Sequence, residues 1–181
     1  MLGLALLIAG SRFDYHRLRL LAPGLVLAAL GLCLAVLVVA QPINGARRWF
    51  TVGPASFQPS ELAKLALCVW AAAWLAKHPT PRTLGELWRP VGLLTLVFCG
   101  LIIVEPDLGS TIALVLCVGA ILLVSGTPLR VLGAAGGALA ALGLLAIWVE
   151  PYRRERVFAF LDPWKDSQGT GFQSVQAMIG I

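Results

Sequence analysis

The stretch GARRWFTVGPASFQPSELAK, residues 45–64, is the longest polar interruption in an otherwise apolar sequence. It contains two adjacent arginines, a Trp-Phe pair, several Gly and Pro residues and a Glu/Lys pair. Uncharged stretches lie on both sides, and Leu20–Ala40 is long enough to cross the hydrocarbon core of a bilayer as a helix. A polar, turn-rich segment between such stretches has to face water, a cavity or a substrate, because lipid cannot satisfy its backbone groups.

The composition is that of an integral membrane protein. Hydrophobic residues make up 59% of the 181 and charged residues 13%, with a mean hydropathy of +0.86. Soluble domains carry about 25% charged residues. The net charge of +5 does not indicate nucleic acid, because no basic stripe with interleaved aromatic residues is present. Basic residues beside apolar spans fit anionic lipid headgroups better.

The apolar pattern predicts an all-α fold, a polytopic transmembrane helix bundle of about five spans plus a partial N-terminal one. Met1–Gly10 is too short to cross a membrane and is expected to be the tail of a span whose beginning is missing. The predicted spans are Leu20–Ala40, Glu61–Ala76, Val91–Val104, Leu108–Leu129 and Val131–Val149. We predict a single integral membrane domain over residues 1–181, with outer loops at 41–60 and 150–181.

The orientation prediction rests on the acidic residues. Lys and Arg divide evenly between the two faces, so the positive-inside rule does not decide the orientation. The acids do not divide evenly, because only Asp14 and Glu86 lie on the first face. The second face mixes both signs in long connectors, as expected of a reactive surface, and we predict that it is the outside.

Charged residues at 47–64 are the first candidate site. Ser60 is predicted to cap the following helix, with Glu61 in its first turn. Glu61 and Lys64 are i,i+3 neighbours, and either form an ion pair at the membrane boundary or line a polar cavity. Arg47 or Arg48 could fork onto a pyrophosphate or contact lipid headgroups.

EPDLGS, residues 105–110, places two carboxylates between a short span and a long one. Val91–Val104 covers about 21 Å as a helix, so Glu105 and Asp107 are expected below the membrane surface. A carboxylate at that depth needs a cation partner or a functional task. Asp107 is also a good N-cap for the next helix, and the two interpretations are compatible.

The last segment carries Arg153, Arg154 and Arg156, followed by aromatic residues, a Gly-rich turn and Gln173. Arginines with aromatics suit a phosphate-bearing glycan or lipid, and an amphipathic segment lying on the membrane is the alternative. The four cysteines and two histidines have no metal-ligand spacing, so no metal site or disulfide is predicted from them. The residues alone therefore indicate a polytopic membrane protein with buried carboxylates and a polar outer face.

Four motifs resemble the SEDS family, the FtsW, RodA and SpoVE proteins: GARRWF, QPSELAK, EPDLGS and EPYRRERVFAFLDPWKDSQGTGFQSVQ. The sequence of the last motif is most similar to that of FtsW, the branch of the family that acts in cell division. The resemblance implies an inverting glycosyltransferase that polymerises lipid II outside the bacterial cytoplasmic membrane and releases undecaprenyl pyrophosphate. A carboxylate would act as general base, and cations, with a divalent metal such as Mg or Mn, would stabilise the leaving group. The family features carry over to these positions: Arg48, Gln58, Glu61, Lys64, Asp107, Arg156, Pro163, Gly171 and Gln173.

The same resemblance implies partners and a missing half. Family members have roughly ten spans, so this chain is expected to be an N-terminal fragment, and the aspartate proposed as catalytic is expected beyond Ile181. We therefore predict that the 181 residues alone are inactive. The implied partners are a class B penicillin-binding protein, which is a transpeptidase, and other divisome proteins. Two other functions stay open: a transporter that flips lipid II, and a scaffold for the transpeptidase.

Overall fold

The computed structural model describes residues 14–40, 47–52 and 55–149, together with residues 4, 10, 12 and 176. The chain divides into two compact units, Met1–Leu132 and Gly133–Ile181, and each is described by itself. The predicted all-α transmembrane bundle is confirmed, with one small β-hairpin added. In chain order the elements are α1 (Tyr15–Val39), β1 (Phe50–Val52), β2 (Ala55–Phe57), α2 (Pro59–Leu75), α3 (Leu84–Leu87), a π-helical turn (Trp88–Gly92), α4 (Leu93–Val104), α5 (Leu108–Val124) and α6 (Leu129–Val149).

Helix α1 shows why these residues form a membrane bundle. Asp14 caps its N-terminus by accepting a hydrogen bond from the His16 backbone N–H at 3.0 Å. Small and medium apolar residues recur every three or four positions and form one buried face, at Ala22, Val26, Ala29, Cys33 and Val36. The opposite face exposes large apolar side chains such as Leu20, Leu27 and Val38. Exposed leucines along a whole helix face are suited to lipid.

Among the described residues, two helical segments are long and apolar enough to cross a membrane, His16–Val39 and Leu84–Val104. Leu108–Val124 and Leu129–Leu145 are shorter apolar helices. Within the first unit, α1 packs against α2, and α5 packs against both α2 and α4. The buried face of α2 is rich in alanine, with Ala63, Ala66 and Ala71 fully buried. Such small residues let neighbouring membrane helices approach closely.

The predicted spans Glu61–Ala76 and Val91–Val104 leave residues 77–90 as a polar connector, and this prediction is wrong over the second half of those residues. Helical structure begins at Leu84, where Thr83 caps α3 by accepting from the Glu86 backbone N–H. The segment is kinked at Arg89, whose backbone is extended (φ −120°, ψ 124°), because a following proline disfavours helical geometry. The segment Leu84–Val104 is therefore 21 residues long. The expectation that Glu105 lies below the membrane surface rested on a span of only Val91–Val104, and that argument no longer holds.

A β-hairpin occupies the segment expected to be an irregular surface loop. Strands β1 and β2 are antiparallel, and Phe50 pairs with Phe57, Thr51 with Ser56 and Val52 with Ala55. The strand residues are aromatic, β-branched or small, and a two-residue Gly-Pro connection separates them. This is a hairpin pattern that the sequence carried. The hairpin leads directly into α2 at Pro59.

The C-terminus of α5 ends in a Schellman motif. The Gly126 backbone N–H donates to Leu123 O, and the Thr127 backbone N–H donates to Leu122 O, both at 3.0 Å. Gly126 has φ of +92°, a conformation that residues with a Cβ rarely adopt. The motif satisfies carbonyls that the helix leaves without partners.

Candidate functional site

The EPDLGS motif forms a tight turn between α4 and α5. Glu105 is the C-cap residue of α4, and its backbone N–H donates to Leu101 O at 3.1 Å. Asp107 is the N-cap residue of α5, as predicted, because its Oδ1 accepts from the Ser110 backbone N–H at 3.0 Å. The Thr111 hydroxyl also donates to Asp107 O at 2.8 Å. The Asp107 carboxylate and the backbone of Glu105 are thus fixed at the junction of two helices.

Two residues of the stretch 45–64 form hydrogen bonds to this turn, although the bonded residues are 49–58 positions apart in the sequence. Arg48 lies just before β1 and donates through Nε to Glu105 O at 2.9 Å and through Nη2 to Pro106 O at 2.7 Å. Gln58 follows β2 and donates through Nε2 to Asp107 Oδ2 at 2.7 Å. The two ends of the hairpin therefore grip the turn between α4 and α5. We call Arg48, Gln58 and the Glu105–Asp107 turn the loop clamp.

Glu105 has the most deeply buried side chain of the loop clamp. Its side chain is fully buried, and neither carboxylate oxygen has a hydrogen-bond partner within the described part of the chain by distance and angle. Burial and the nearby negative charge of Asp107 raise the pKa of Glu105 to about 7, while the Cys33 thiol and the Arg48 guanidinium oppose the rise. Glu105 is therefore a carboxyl group that holds its proton close to neutral pH.

Glu61 and Lys64 form the predicted ion pair, with Lys64 Nζ 2.8 Å from Glu61 Oε1. The Glu61 side chain is 59% exposed and that of Lys64 is 23% exposed, so the charge pair lies at the edge of the buried region. Among residues 14–40, 47–52 and 55–149, no hydrogen bond or ion pair joins either residue to Asp107. A cavity shared by the pair and Asp107 therefore stays a prediction.

One expectation at the start of α2 is corrected. Ser60 does not cap this helix: Pro59 takes the first helical position, so Gln58 becomes the N-cap residue and Ser60 lies inside the helix. The Ser60 hydroxyl is buried and has no partner in the described ranges. Arg48 donates to two main-chain carbonyls and Arg47 donates to Leu37 O at 3.0 Å, and contact of either arginine with pyrophosphate or headgroups stays a prediction.

The remaining candidates, Arg156 and Gln173, lie outside the described residues, as do Pro163 and Gly171. Gln58 was identified only through the family resemblance, and its hydrogen bond to Asp107 is one of the bonds that build the loop clamp. A glutamine immediately before a helix-starting Pro is a weak signal, because its side chain is free to cap its own helix or to reach a neighbouring one. The sequence pattern does not decide between the two.

The described residues do not supply a metal site. No group of three or more His, Cys, Asp and Glu side chains that could hold a metal ion occurs among them. Glu105 and Asp107 supply two carboxyl groups to one turn, and both oxygens of Asp107 already accept hydrogen bonds. Magnesium and manganese favour several oxygen ligands, and one free carboxyl group does not meet that need.

Relatives with assigned names are similar to this chain in sequence. The family model FTSW_RODA_SPOVE, described as "Cell cycle protein", matches residues 1–181. "Probable peptidoglycan glycosyltransferase FtsW" of Tolumonas auensis is 40% identical over 160 residues, which are 87% of this chain and 41% of that protein. The protein of the same name from Aromatoleum aromaticum is 34% identical over 183 residues, 99% of this chain and 44% of that protein.

Solved structures of two proteins are similar to this chain in both sequence and fold. A chain of a peptidoglycan synthase complex, described as coordinating polymerization and crosslinking, is 43% identical with a TM-score of 0.77, covering 98% of this chain and 54% of that chain. The rod shape determining protein RodA of Thermus thermophilus is 41% identical with a TM-score of 0.62, covering 78% and 47%. The chain spans about half the length of the proteins it matches. Because the family model covers every residue and the structures share the fold, the chain belongs to the FtsW/RodA/SpoVE family of cell cycle proteins.

Proposed function

We propose that this chain forms the first half of a peptidoglycan glycosyltransferase that polymerises lipid II into glycan strands during cell division. The observation that carries the proposal is the family match over residues 1–181, together with relatives named as peptidoglycan glycosyltransferases. Their FtsW name favours the division branch. The chain would lie in the bacterial cytoplasmic membrane, with the loop clamp and the start of α2 on the extracytoplasmic face.

The reaction forms a bond between an acceptor sugar hydroxyl and the anomeric carbon of a lipid-linked donor, and undecaprenyl pyrophosphate leaves with the bonding electron pair. A base must take the hydroxyl proton, and positive charge must stabilise the leaving pyrophosphate. Lys64 is the described cation that best fits the second task, since it is partly exposed near the loop clamp end of α2. Arg156 and Gln173 are further candidates for binding the donor. A divalent ion would add charge stabilisation, and it would need ligands beyond the described residues.

The catalytic base is not assigned to this chain. Glu105 is fully buried, and Asp107 has both oxygens bonded, so neither carboxylate is free to reach a substrate hydroxyl. On the family resemblance we propose that the base belongs to a part of the protein outside these 181 residues. The described residues would therefore shape and charge a site that another part of the protein completes.

Glycan synthesis in detergent is the deciding experiment. A protein of the relatives' full length that carries these 181 residues would be mixed with labelled lipid II, alone and with a class B penicillin-binding protein. Glycan polymer is the expected product, resolved by length on a gel. Detergent leaves no second compartment, so polymer excludes a purely transporting function. A folded protein that yields no polymer with its partner, but moves lipid II across vesicle membranes, would overturn the proposal in favour of a flippase.

Variants separate catalysis from a scaffold function. Glu61→Ala and Lys64→Ala are expected to reduce polymer formation while binding to the penicillin-binding protein is retained. The partner itself is proposed because a structural neighbour belongs to a peptidoglycan synthase complex. Unchanged polymerisation in both variants would remove Glu61 and Lys64 from the site. Loss of partner binding together with activity would instead indicate a scaffold surface.

A further inference from the structure

The loop clamp joins two sequence motifs that are both expected to belong to the site. We propose that Arg48 and Gln58 are positioning residues: they hold the Glu105–Asp107 turn against the N-terminus of α2 and do not bind substrate. The proposal deepens the proposed glycosyltransferase function and rests on it for the effect on activity. Its structural part, the holding of the turn, stands on the three hydrogen bonds alone.

Arg48 already uses one of the two edges of its guanidinium that can bind a phosphate in a bidentate manner. Nε and Nη2 form one side of the planar fork, and both donate to successive main-chain carbonyls, those of Glu105 and Pro106. These carbonyls lie at the C-terminus of α4, where a helix leaves acceptors without partners and favours positive charge. A phosphate group would have to displace two charged hydrogen bonds of 2.9 and 2.7 Å to bind there.

Gln58 acts on the same turn from the other end of the hairpin. It is the N-cap residue of α2, but its side chain does not cap that helix. The amide reaches across to Asp107 Oδ2 instead, while Asp107 Oδ1 caps α5. The N-termini of α2 and α5 are thereby linked through one carboxylate. Since Glu61 and Lys64 lie in the first turns of α2, the clamp sets where these charges stand relative to the turn.

Arg47 provides a matched control within the same sequence motif. It precedes Arg48 directly, carries the same charge and makes one hydrogen bond, to Leu37 O near the end of α1. It is exposed, and within the described part of the chain no hydrogen bond joins it to the Glu105–Asp107 turn. Removing either arginine lowers the positive charge of this segment equally. Only removal of Arg48 opens the clamp.

Amide hydrogen exchange without substrate tests the holding of the turn. In the full-length protein in detergent, Arg48→Ala and Gln58→Ala are expected to accelerate exchange in a peptide covering residues 105–111 by about tenfold. Arg47→Ala is expected to leave it unchanged. Should Arg48→Ala not fold, Arg48→Lys keeps the charge but cannot fork onto two carbonyls, and intermediate exchange is expected. Wild-type exchange in Arg48→Ala, or in a folded Arg48→Lys, would overturn the proposal.

Kinetics with labelled lipid II separates positioning from substrate contact. Arg48→Ala is expected to lower kcat by about 10- to 100-fold with KM for lipid II nearly unchanged, because a displaced turn misplaces groups without removing a ligand contact. The double variant Arg48→Ala/Gln58→Ala should be close to the worse single variant, since both open one clamp. A rise in KM alone, with normal exchange, would make Arg48 a substrate-binding residue. If the wild type forms no glycan, the proposed function fails while the exchange result still decides the clamp.

Discussion

Glu105 is a carboxyl group placed where it cannot ionise freely. It is fully buried, lies beside the charge of Asp107 and is opposed only in part by Arg48 and the Cys33 thiol. The folded protein keeps its proton up to about pH 7, whereas the unfolded chain releases it near the ordinary value of 4.5. The free energy of unfolding therefore falls as the pH rises from 4.5 to 7, and this loss is complete above pH 7.

Replacing Glu105 by Gln is expected to remove this pH dependence, because an amide of the same shape does not ionise. We expect the Tm of Glu105→Gln to exceed that of the wild type by about 5 °C at pH 8, with no gain at pH 4.5. Thermal unfolding in detergent at several pH values measures it. Glu61→Gln is the control, since Glu61 is 59% exposed and should show no such gain. Parallel curves for Glu105→Gln and the wild type would contradict the prediction.

Asp107 is expected to stabilise the protein chiefly through its two oxygens. Asp107→Ala removes the cap of α5 and the partner of Gln58, and we expect a loss of about 2 kcal/mol. Asp107→Asn keeps an oxygen for the cap and should lose less than about 1 kcal/mol. Denaturation of both variants measures the difference. Equal losses for Ala and Asn would show that charge, and not capping, is what Asp107 supplies.

At the scale of elements, the Schellman motif of α5 gives a prediction with an internal control. Gly126→Ala places a Cβ at φ +92° and is expected to destabilise the protein by about 1 kcal/mol, lowering Tm by roughly 2–4 °C. Gly119→Ala, in the middle of the same helix with nothing within 4 Å of the added Cβ, is expected to be neutral or stabilising. An unchanged Tm in Gly126→Ala would contradict the strain argument.

Local sequence signals account for most element boundaries. Hydropathy located every long helix, because residues inside a bilayer must be both apolar and helical. Two local patterns were overlooked: Thr83 followed three residues later by Glu86, which resembles a capping box, and the β-rich run around Gly-Pro. Ser60 is predicted as the N-cap because serine is a favourable residue at that position. Pro59 is favoured at the first helical position, so the helix begins there and the N-cap residue is Gln58.

The long-range contacts of the site could not be predicted in the same way. Sequence showed that Arg48 and Asp107 were charged residues at span boundaries, but charge does not say whether an arginine meets a phosphate or a carbonyl. The bonds from Arg48 and Gln58 to the Glu105–Asp107 turn depend on α2 packing beside α5 and on the hairpin length. The burial of Glu105 likewise follows from helix packing. The short span Val91–Val104, from which its depth was predicted, is part of a longer helical segment, Leu84–Val104.

At the scale of the whole molecule, we expect the 181 residues alone to make no glycan. The chain covers 41% and 44% of the two FtsW relatives described above and 47% of RodA, and from the family resemblance we expect the catalytic aspartate in a part of the protein outside these 181 residues. The measurement is incubation of the purified chain with labelled lipid II and separation of products by length. The full-length protein serves as the positive control. Polymer made by the chain alone would contradict the expectation and would place a base within these residues.

The hairpin of residues 50–57 also restricts where this segment can change in length. Its base is anchored on both sides, since Arg48 and Gln58 each bond the same turn, whereas its tip joins Val52 to Ala55 through two residues. One residue inserted between Arg48 and Phe50 would shift one anchor relative to the other and rotate the strand's faces. Residues added in pairs at the tip would leave Phe50 opposite Phe57. Natural and engineered insertions should therefore be tolerated at the tip, which makes it the natural place for a tag or a fluorescent label.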